Sequence, residues 1–299
     1  MQALFTLLLA TCVAAGHLYD PELPCLSDCQ ARLPPLTQWQ QRYVSTLEHA
    51  VLGTLYSSPE VMTTFSHCKK TGMSCHTMLS IYGLRNFGAA LKRAIADKIQ
   101  GDIVEMGVWR GGGSMYAKAI VDAYGEGARR RVHLFDVFDT DTNFAKKYAQ
   151  HSVFGGMAFN SVEAISTAFA KFGLLDEQVR FHAGLFNTTT RAFRDELLAS
   201  SRSIAVLRID GNFYASYEDA MYTLYELVPI GGIVIFDDLF DNTAIQLFWR
   251  HFQRDYNIRE NVTNAMGHGP GGCGWFRKTQ HVTVDPSKMR RIVSGSGRR

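Results

Sequence analysis

The chain has 299 residues, of which 46% are hydrophobic, and 31 basic residues against 28 acidic ones give a formal net charge of +3. This composition is sufficient for a sizeable core and is typical of one large α/β domain or two small ones. Because the net charge is small and no basic stripe is interleaved with aromatic residues, nucleic acid is excluded as the expected partner.

The amino terminus contains an apolar run from Ala3 to Ala15. This run is too short to span a bilayer, and the small residues at 14–16 are suited to signal cleavage. The polar, proline-broken sequence that follows argues against an N-terminal anchor or a buried helix. We therefore predict a signal peptide at residues 1–16, entry into the secretory pathway or secretion, and no transmembrane segment after cleavage. If the run is not a signal, a cytoplasmic protein is expected.

Cysteines are concentrated in the first quarter of the chain, at Cys25, Cys29, Cys68 and Cys75. In a secreted protein, two disulfides among these residues are expected, with their pairing left open. A zinc site is the rival interpretation, but Cys-x3-Cys and Cys-x6-Cys are poor zinc spacings and no paired histidines accompany them. Asn187 and Asn261 begin glycosylation sequons, which matter only if the chain is secreted.

The region before the catalytic domain, residues 17–76, is predicted to be an extension with an irregular, proline-containing lead-in. Helical periodicity follows over Thr37–Leu55, and a second helix is predicted from about Met78 to Ala96. The catalytic domain is predicted at residues 77–280. Residues 281–299 carry basic side chains among serine and glycine, which predicts a flexible tail.

A short apolar run at Ile103–Met106 ends in glycines, and a helical pattern then extends from Ser114 to Ala123. We predict a strand, a glycine turn and a helix, an arrangement in which backbone N–H groups approach a ligand at the helix N-terminus. Glu105, at the end of the strand, adds a fixed negative charge. A ligand with both polar and cationic groups is therefore expected.

The turn lacks two common nucleotide-binding motifs. No lysine follows the glycines, as a nucleoside triphosphate loop requires, and the pattern G-x-G-x-x-G of dinucleotide sites is absent. The observed Glu-x-Gly-x-x-x-Gly is closer in spacing to S-adenosylmethionine sites than to nicotinamide sites. A glycine turn with only a packing role is the simpler alternative.

Beyond this turn, apolar strand patterns alternate with helical patterns, which predicts a parallel sheet with helices on both faces. No internal repeat or low-complexity linker divides the region. The predicted strands are Val132–Phe135, Val179–His182, Ile204–Ile209 and Ile233–Phe236. The predicted helices lie within Phe144–Phe172 and at Arg191–Ala199, Tyr217–Leu227 and Ala244–Tyr256.

Carboxylates stand at the ends of three of these strands. Asp136 follows Gly107 by 29 residues, the distance at which an acidic side chain meets ribose hydroxyls. Asp210 ends the fourth strand, and Asp237 and Asp238 end the fifth. Because neighbouring strand ends are close in space, we expect the last three to converge on a hard divalent cation such as Mg2+. For any one of them, a solvated turn or helix cap is the alternative.

Two segments, residues 101–112 and 207–214, are similar to those of a known family. From about His76 to Lys278 the chain resembles the macrocin-type (TylF) O-methyltransferases, which methylate sugar hydroxyls of macrolides and related natural products. The family usually reads Asp-Gly-Asp-Met-Tyr-Glu-Ser after the fourth strand, whereas this chain has Asn212 and Ala215 at the second and third acidic positions.

The resemblance implies a Rossmann-like class I methyltransferase fold, with a mostly parallel seven-stranded sheet, helices on both faces and an N-terminal helical extension. It also implies S-adenosylmethionine on the glycine turn and a Mg2+ held by the aspartates at positions 210, 237 and 238. The residues expected to bind the cofactor are Thr77, Met78, Glu105, Gly107, Val108, Arg110, Gly111, Ser114 and Asp136.

These observations predict a Mg2+-assisted O-methyltransferase for a hydroxyl of a sugar-containing or polyhydroxylated small molecule or glycan. Asp210 is the first candidate base, and His268 and Asp241 are weaker ones. A secreted pseudoenzyme that binds a ligand without methylating it is the alternative, since two acidic positions are lost. A metal-dependent hydrolase would leave Glu105 and the glycines without a role. A homo-oligomer is compatible with this interpretation, and the acceptor stays open.

Overall fold

The computed structural model describes residues 27–55, 75–138, 161–264 and 273–291. Within these ranges the strands are β1 Asp102–Met106, β2 Val132–Asp136, β3 Val179–Ala183, β4 Ile204–Ile209, β5 Ile233–Phe236, β6 Thr263–Asn264 and β7 Gly274–Arg277. They form one seven-stranded sheet in the order β3-β2-β1-β4-β5-β7-β6. The first five strands in that order pair in parallel, and β7 is antiparallel to both of its neighbours. The predicted mostly parallel sheet is confirmed.

The helices of the same ranges surround this sheet. They are α1 Ser27–Gln30, α2 Gln38–Leu52, α3 Ile81–Ala96, α4 Gly112–Ala123, α5 Val162–Lys171, α6 Phe186–Ala199, α7 Tyr214–Leu224 and α8 Thr243–Tyr256. Short 3-10 turns follow at Tyr225–Leu227 and Pro286–Lys288. In the described part of the chain, no helix has both the length and the apolar character needed to cross a membrane.

Apolar residues fill both faces of the sheet. Along β1, Ile103 belongs to the core under α2, α3, α4 and α5, whereas Val104 and Met106 belong to the core under α6, α7 and α8. This alternation follows from the two-residue repeat of a strand, and burial on both faces is what makes parallel strands read as continuous apolar runs. The sheet is therefore a buried platform whose strand ends carry the polar groups.

Several boundaries differ from those predicted, for identifiable reasons. Helix α6 begins at Phe186 rather than Arg191. Its start was predicted too late because its first turn carries the sequence Asn-Thr-Thr, whose residue types favour turns over helix interiors. The buried Thr190 hydroxyl donates to the Phe186 carbonyl at 2.6 Å, so a threonine is accommodated inside the helix. Strands β6 and β7 were not predicted individually, since they have two and four residues. The part of the predicted Phe144–Phe172 helical region before residue 161 lies outside the described residues.

The two ends of the described chain pack on the domain. Residues 281–291 do not form the predicted flexible tail: Val282 and Val284 are buried, and Arg290 makes two hydrogen bonds of 2.6 Å to Asp255. Cys29 and Cys75 are buried and disulfide-bonded. The predicted oxidation of Cys25 and Cys68, the signal peptide and residues 292–299 lie outside the described ranges.

Candidate active site

The glycine turn after β1 is fixed by close approach of backbone on both sides. Gly107 has φ 87, and a Cβ there would lie 1.8 Å from the Asp210 carbonyl oxygen at the end of β4. Gly111, with φ 77, is the N-cap of α4. The N–H of Gly112 donates to the His76 carbonyl at 2.8 Å. Only glycine fits the first two positions without strain, so the sequence brings the end of β4 and the segment before α3 against one turn.

That segment before α3 contains two of the predicted cofactor residues. Thr77 is buried, and its Cβ would lie 2.9 Å from a Cβ placed on Gly112. Met78 is half-buried beside it in the chain. Arg110, within the turn, donates from Nη1 to the Cys75 carbonyl at 3.1 Å. The structure thus brings Thr77 to the glycine turn and joins Arg110 to the segment before α3, while cofactor binding by these residues and Met78 stays a prediction.

Asp136, at the end of β2, holds the turn from its other side. Its carboxylate accepts from the N–H groups of Val108 and Trp109 at 3.0 Å each and from Val137 at 2.7 Å. Burial raises the pKa of this carboxyl group, and the backbone donors oppose that rise. The side chain therefore shapes the backbone of the turn in this structure, while its contact with ribose stays a prediction.

Glu105, predicted to place a fixed negative charge beside the turn, is buried and paired in the structure. The side chain is 2% exposed, and its carboxylate accepts from the Ser114 hydroxyl at 2.5 Å and from Nη1 of Arg208 at 2.9 Å. Burial raises the pKa of Glu105, and the charge of Arg208 lowers it. Glu105 and Ser114, both predicted to bind the cofactor, thus bind each other beneath the turn.

Arg208 was not among the predicted site residues, although the sequence indicated that it needs a buried acidic partner. It is the one charged residue in the apolar strand β4, and a buried arginine requires anionic partners. Besides Glu105, its guanidinium donates from Nη2 to Asp237 at 2.5 Å and to Asp210 at 3.2 Å. The sequence could predict a partner for Arg208, but not which carboxylates these would be.

Asp210, Asp237 and Asp238 do converge, with one ligand atom of each within 4.8 Å of the others. Burial and the charge of Asp237 raise the pKa of Asp210 well above its ordinary range, and the same causes raise that of Asp238 to about 7. One oxygen of Asp238, Oδ2, is buried without a hydrogen-bond partner. A single guanidinium cannot neutralise three carboxylates, so this all-oxygen donor set fits a hard divalent cation such as Mg2+.

The weaker candidate base Asp241 and Asn212, which differs from the family, lie in the loops that follow β5 and β4. Asp241 is exposed, and its N–H donates to the Asp238 carbonyl at 3.3 Å. His268 lies outside the described residues. Asn212 has φ 58, a conformation that asparagine tolerates well, and its carbonyl accepts from the Asn242 side chain at 3.1 Å. An asparagine at this position is therefore compatible with the conformation of the loop after β4.

Comparison with known proteins identifies similar chains. Residues 26–278 match the model of the family described as macrocin O-methyltransferase (TylF). The 8-demethyl-8-(2,3-dimethoxy-alpha-L-rhamnosyl)-tetracenomycin-C 4'-O-methyltransferase of Streptomyces olivaceus is 35% identical over 210 residues, which cover 68% of this chain and 76% of the relative. Demethyldecarbamoylnovobiocin O-methyltransferase of Streptomyces niveus is 33% identical over 214 residues, 66% of this chain and 79% of the relative. The family match begins far ahead of His76, so most of the predicted N-terminal extension belongs to it.

Solved structures show the same architecture. The O-methyltransferase NovP is 26% identical with a TM-score of 0.65, and the alignment covers 81% of this chain and all (100%) of NovP. CalS11, a calicheamicin methyltransferase, is 16% identical with a TM-score of 0.51, covering 84% of this chain and 97% of CalS11. These neighbours confirm the class I methyltransferase fold that the resemblance implied.

Proposed function

The chain belongs to the TylF family of macrocin O-methyltransferases and is itself an O-methyltransferase, and we propose that it uses S-adenosylmethionine and Mg2+ to methylate a hydroxyl of a sugar-containing or polyhydroxylated small molecule or glycan. The observation that carries the cation is the aspartate cluster with its unpartnered, buried Asp238 oxygen. The sugar is supported by the S. olivaceus relative, whose name specifies a rhamnosyl 4'-hydroxyl.

The chain's own residues supply binding, orientation and a base. The glycine turn holds the cofactor, with Thr77, Met78, Val108 and Arg110 around it. Asp210 lies at the end of β4, and its backbone packs against Gly107 of the turn. The cation, when bound, would orient an acceptor hydroxyl and lower its pKa. Asp210, at the end of β4 beside the glycine turn, is the first candidate to take the hydroxyl proton.

The test is methyl transfer from S-adenosylmethionine to a rhamnosylated acceptor, measured with and without EDTA. We expect Asp237→Ala and Asp238→Ala to lower turnover by about a hundredfold or more, because each loss removes an oxygen ligand of the cation. S-adenosylhomocysteine should still bind to each variant. Asp219→Ala, which removes an exposed ion pair with Arg291, serves as the matched control and should keep full activity.

Two outcomes would contradict the proposal. Wild-type rates in EDTA would remove the cation from the mechanism. Tight binding of S-adenosylhomocysteine without transfer to any hydroxylated acceptor would favour the pseudoenzyme alternative, to which Asn212 and Ala215 gave weight.

We also propose that the protein enters the secretory pathway. The disulfide-bonded state of Cys29 and Cys75 supports an oxidising compartment, and the sequon asparagines Asn187 and Asn261 are both exposed.

A further inference from the structure

Arg208 lies at the centre of a buried row of charged groups that joins the two halves of the site. Its side chain is 2% exposed. One guanidinium nitrogen, Nη1, contacts Glu105 at 2.9 Å, and the other, Nη2, contacts Asp237 at 2.5 Å and Asp210 at 3.2 Å. The same planar group therefore bonds a carboxylate under the glycine turn and two carboxylates of the aspartate cluster.

On the side of the turn, Glu105 is in direct contact with the start of α4. Ser114 is fully buried, and its hydroxyl donates to Glu105 Oε2 at 2.5 Å. A Cβ on Gly113 would lie 2.3 Å from Glu105 Oε1, so the first turn of α4 rests on the carboxylate itself. A change in the position of Glu105 would therefore alter the contacts at the start of α4, which the glycine turn leads into.

The charges of the row do not balance. Glu105, Asp210, Asp237 and Asp238 carry four negative charges when ionised, and Arg208 supplies one positive charge, which leaves an excess of three. A divalent cation at the aspartates would reduce that excess to one. It would also compete with Arg208 for Asp210 and Asp237, so the guanidinium would bond more strongly to Glu105, because charge-assisted hydrogen bonds are strong in a buried setting.

We infer that Arg208 is a positioning residue that couples cation binding at the aspartate cluster to cofactor binding on the glycine turn. The inference rests on the proposed function, since it assumes that both ligands bind where the geometry places them. The cation tightens the hold of Arg208 on Glu105, and through Ser114 this stabilises the turn that receives the cofactor. By linkage, the cofactor must tighten cation binding by the same factor.

The experiment is calorimetry of S-adenosylhomocysteine binding with and without Mg2+, together with Mg2+ titrations with and without S-adenosylhomocysteine. S-adenosylhomocysteine lacks the sulfonium charge of S-adenosylmethionine, so direct repulsion between the ligand and Mg2+ does not contribute to the measured coupling. In the wild-type protein we expect Mg2+ to tighten S-adenosylhomocysteine binding by about fivefold or more, within the usual range of coupling between sites. The ammonium of Arg208→Lys cannot bond Glu105 and the aspartate cluster at once as a planar guanidinium does. In this variant the affinities for S-adenosylhomocysteine with and without Mg2+ should therefore agree within about twofold.

Two further variants separate coupling from general damage. Arg130→Lys alters an equally buried arginine, which bonds Glu126 and the Gly101 carbonyl at the opposite end of β1, and it should keep the wild-type response to Mg2+. Ser114→Ala removes the hydrogen bond between α4 and Glu105, so it should weaken the effect of Mg2+ on S-adenosylhomocysteine binding. It provides the test even if Arg208→Lys fails to fold.

The outcomes distinguish this inference from the proposed function. If the wild-type protein binds both ligands but neither affects the other, or if Ser114→Ala and Arg208→Lys both keep the full response, the coupling through Arg208 is wrong and the proposed function stands. If the wild-type protein binds neither S-adenosylhomocysteine nor Mg2+, the proposed function fails, and the inference fails with it.

Discussion

Asp136 accepts three hydrogen bonds from backbone N–H groups, two of them from the glycine turn at Val108 and Trp109. Those two donors would lose their partner if the carboxylate were removed, and a buried donor without a partner costs about 1–3 kcal/mol. The side chain thus determines the shape of the turn on which we propose that the cofactor binds, in addition to any bond with ribose.

We expect Asp136→Ala to weaken S-adenosylhomocysteine binding by about 1.5–3 kcal/mol, because both a charge-assisted hydrogen bond and the order of the turn are lost. Calorimetry measures the change, and Asp219→Ala again serves as the control. Equal affinity in the wild type and Asp136→Ala would place Asp136 outside the site.

At the same scale, the three metal-binding candidates were predictable and their surroundings were not. Spacing placed Asp210 and the pair at 237 and 238 at the ends of neighbouring strands, and the parallel pairing of β4 with β5 brings them together. The bond between Glu105 and Arg208 joins residues 103 positions apart, and its geometry depends on the register of β1 with β4, which no local pattern encodes.

Among the elements, the five parallel strands were predicted to within one residue. Four of them are short, mainly apolar runs buried along nearly their whole length, and the edge strand β3 is only partly buried. Patterns failed where long-range contacts decide the structure. Strand β7 forms because it pairs with β5 in antiparallel register, and residues 281–291 are ordered because Arg290 meets Asp255 on α8. Neither contact leaves a local periodic signal.

Strands β2 and β3 share a histidine pair, the buried His133 and the half-buried His182, that makes the stability of the protein depend on pH. His133 Nδ1 and His182 Nε2 are 2.9 Å apart, and His133 Nε2 lies 3.3 Å from Asp102. Burial lowers the pKa of both imidazoles, that of His182 to about 3. Their ordinary pKa in an unfolded chain is about 6.5. Below that pH the unfolded state binds protons that the folded state excludes, so stability falls as the pH falls towards 3.

His182→Gln should therefore flatten the decline in stability between about pH 6.5 and pH 4. At about pH 5, His182 takes up a proton in the unfolded state but not in the folded state. This difference alone should lower the free energy of unfolding of the wild-type protein by about 2 kcal/mol, at about 1.4 kcal/mol for each pH unit below about 6.5. Denaturant unfolding at several pH values measures the difference. The prediction is wrong if the wild type and His182→Gln lose stability in parallel.

For the whole molecule, strand order explains where the site lies. In the order β3-β2-β1-β4-β5, the chain direction across the sheet reverses between β1 and β4, which are hydrogen-bonded neighbours. The carboxyl ends of strands at such a reversal leave a crevice for ligands. The glycine turn follows β1 and Asp210 follows β4, so the turn and the aspartate cluster lie together at this point of the fold.

The disulfide-bonded Cys75 lies in the segment before α3, beside the glycine turn. Its carbonyl accepts from Arg110, and the next residue, His76, accepts from Gly112. The disulfide constrains the chain directly before these two contacts. We therefore expect reduction to loosen the segment before α3 and the glycine turn that it contacts.

Mass spectrometry of the protein from its own secretory pathway tests the predicted signal cleavage and the oxidation of the N-terminal cysteines. We expect a mature chain that begins near Gly16 or His17, with oxidised cysteines at Cys25, Cys29, Cys68 and Cys75. The buried Cys273 is a free thiol and serves as the internal control, since it should react with an alkylating reagent only after unfolding. An intact Met1 with four free thiols in the N-terminal region would instead indicate an intracellular protein. The segment before α3 would then be held without the disulfide, by the hydrogen bonds from Arg110 and Gly112 and that of the His76 N–H to the Val51 carbonyl at 2.8 Å.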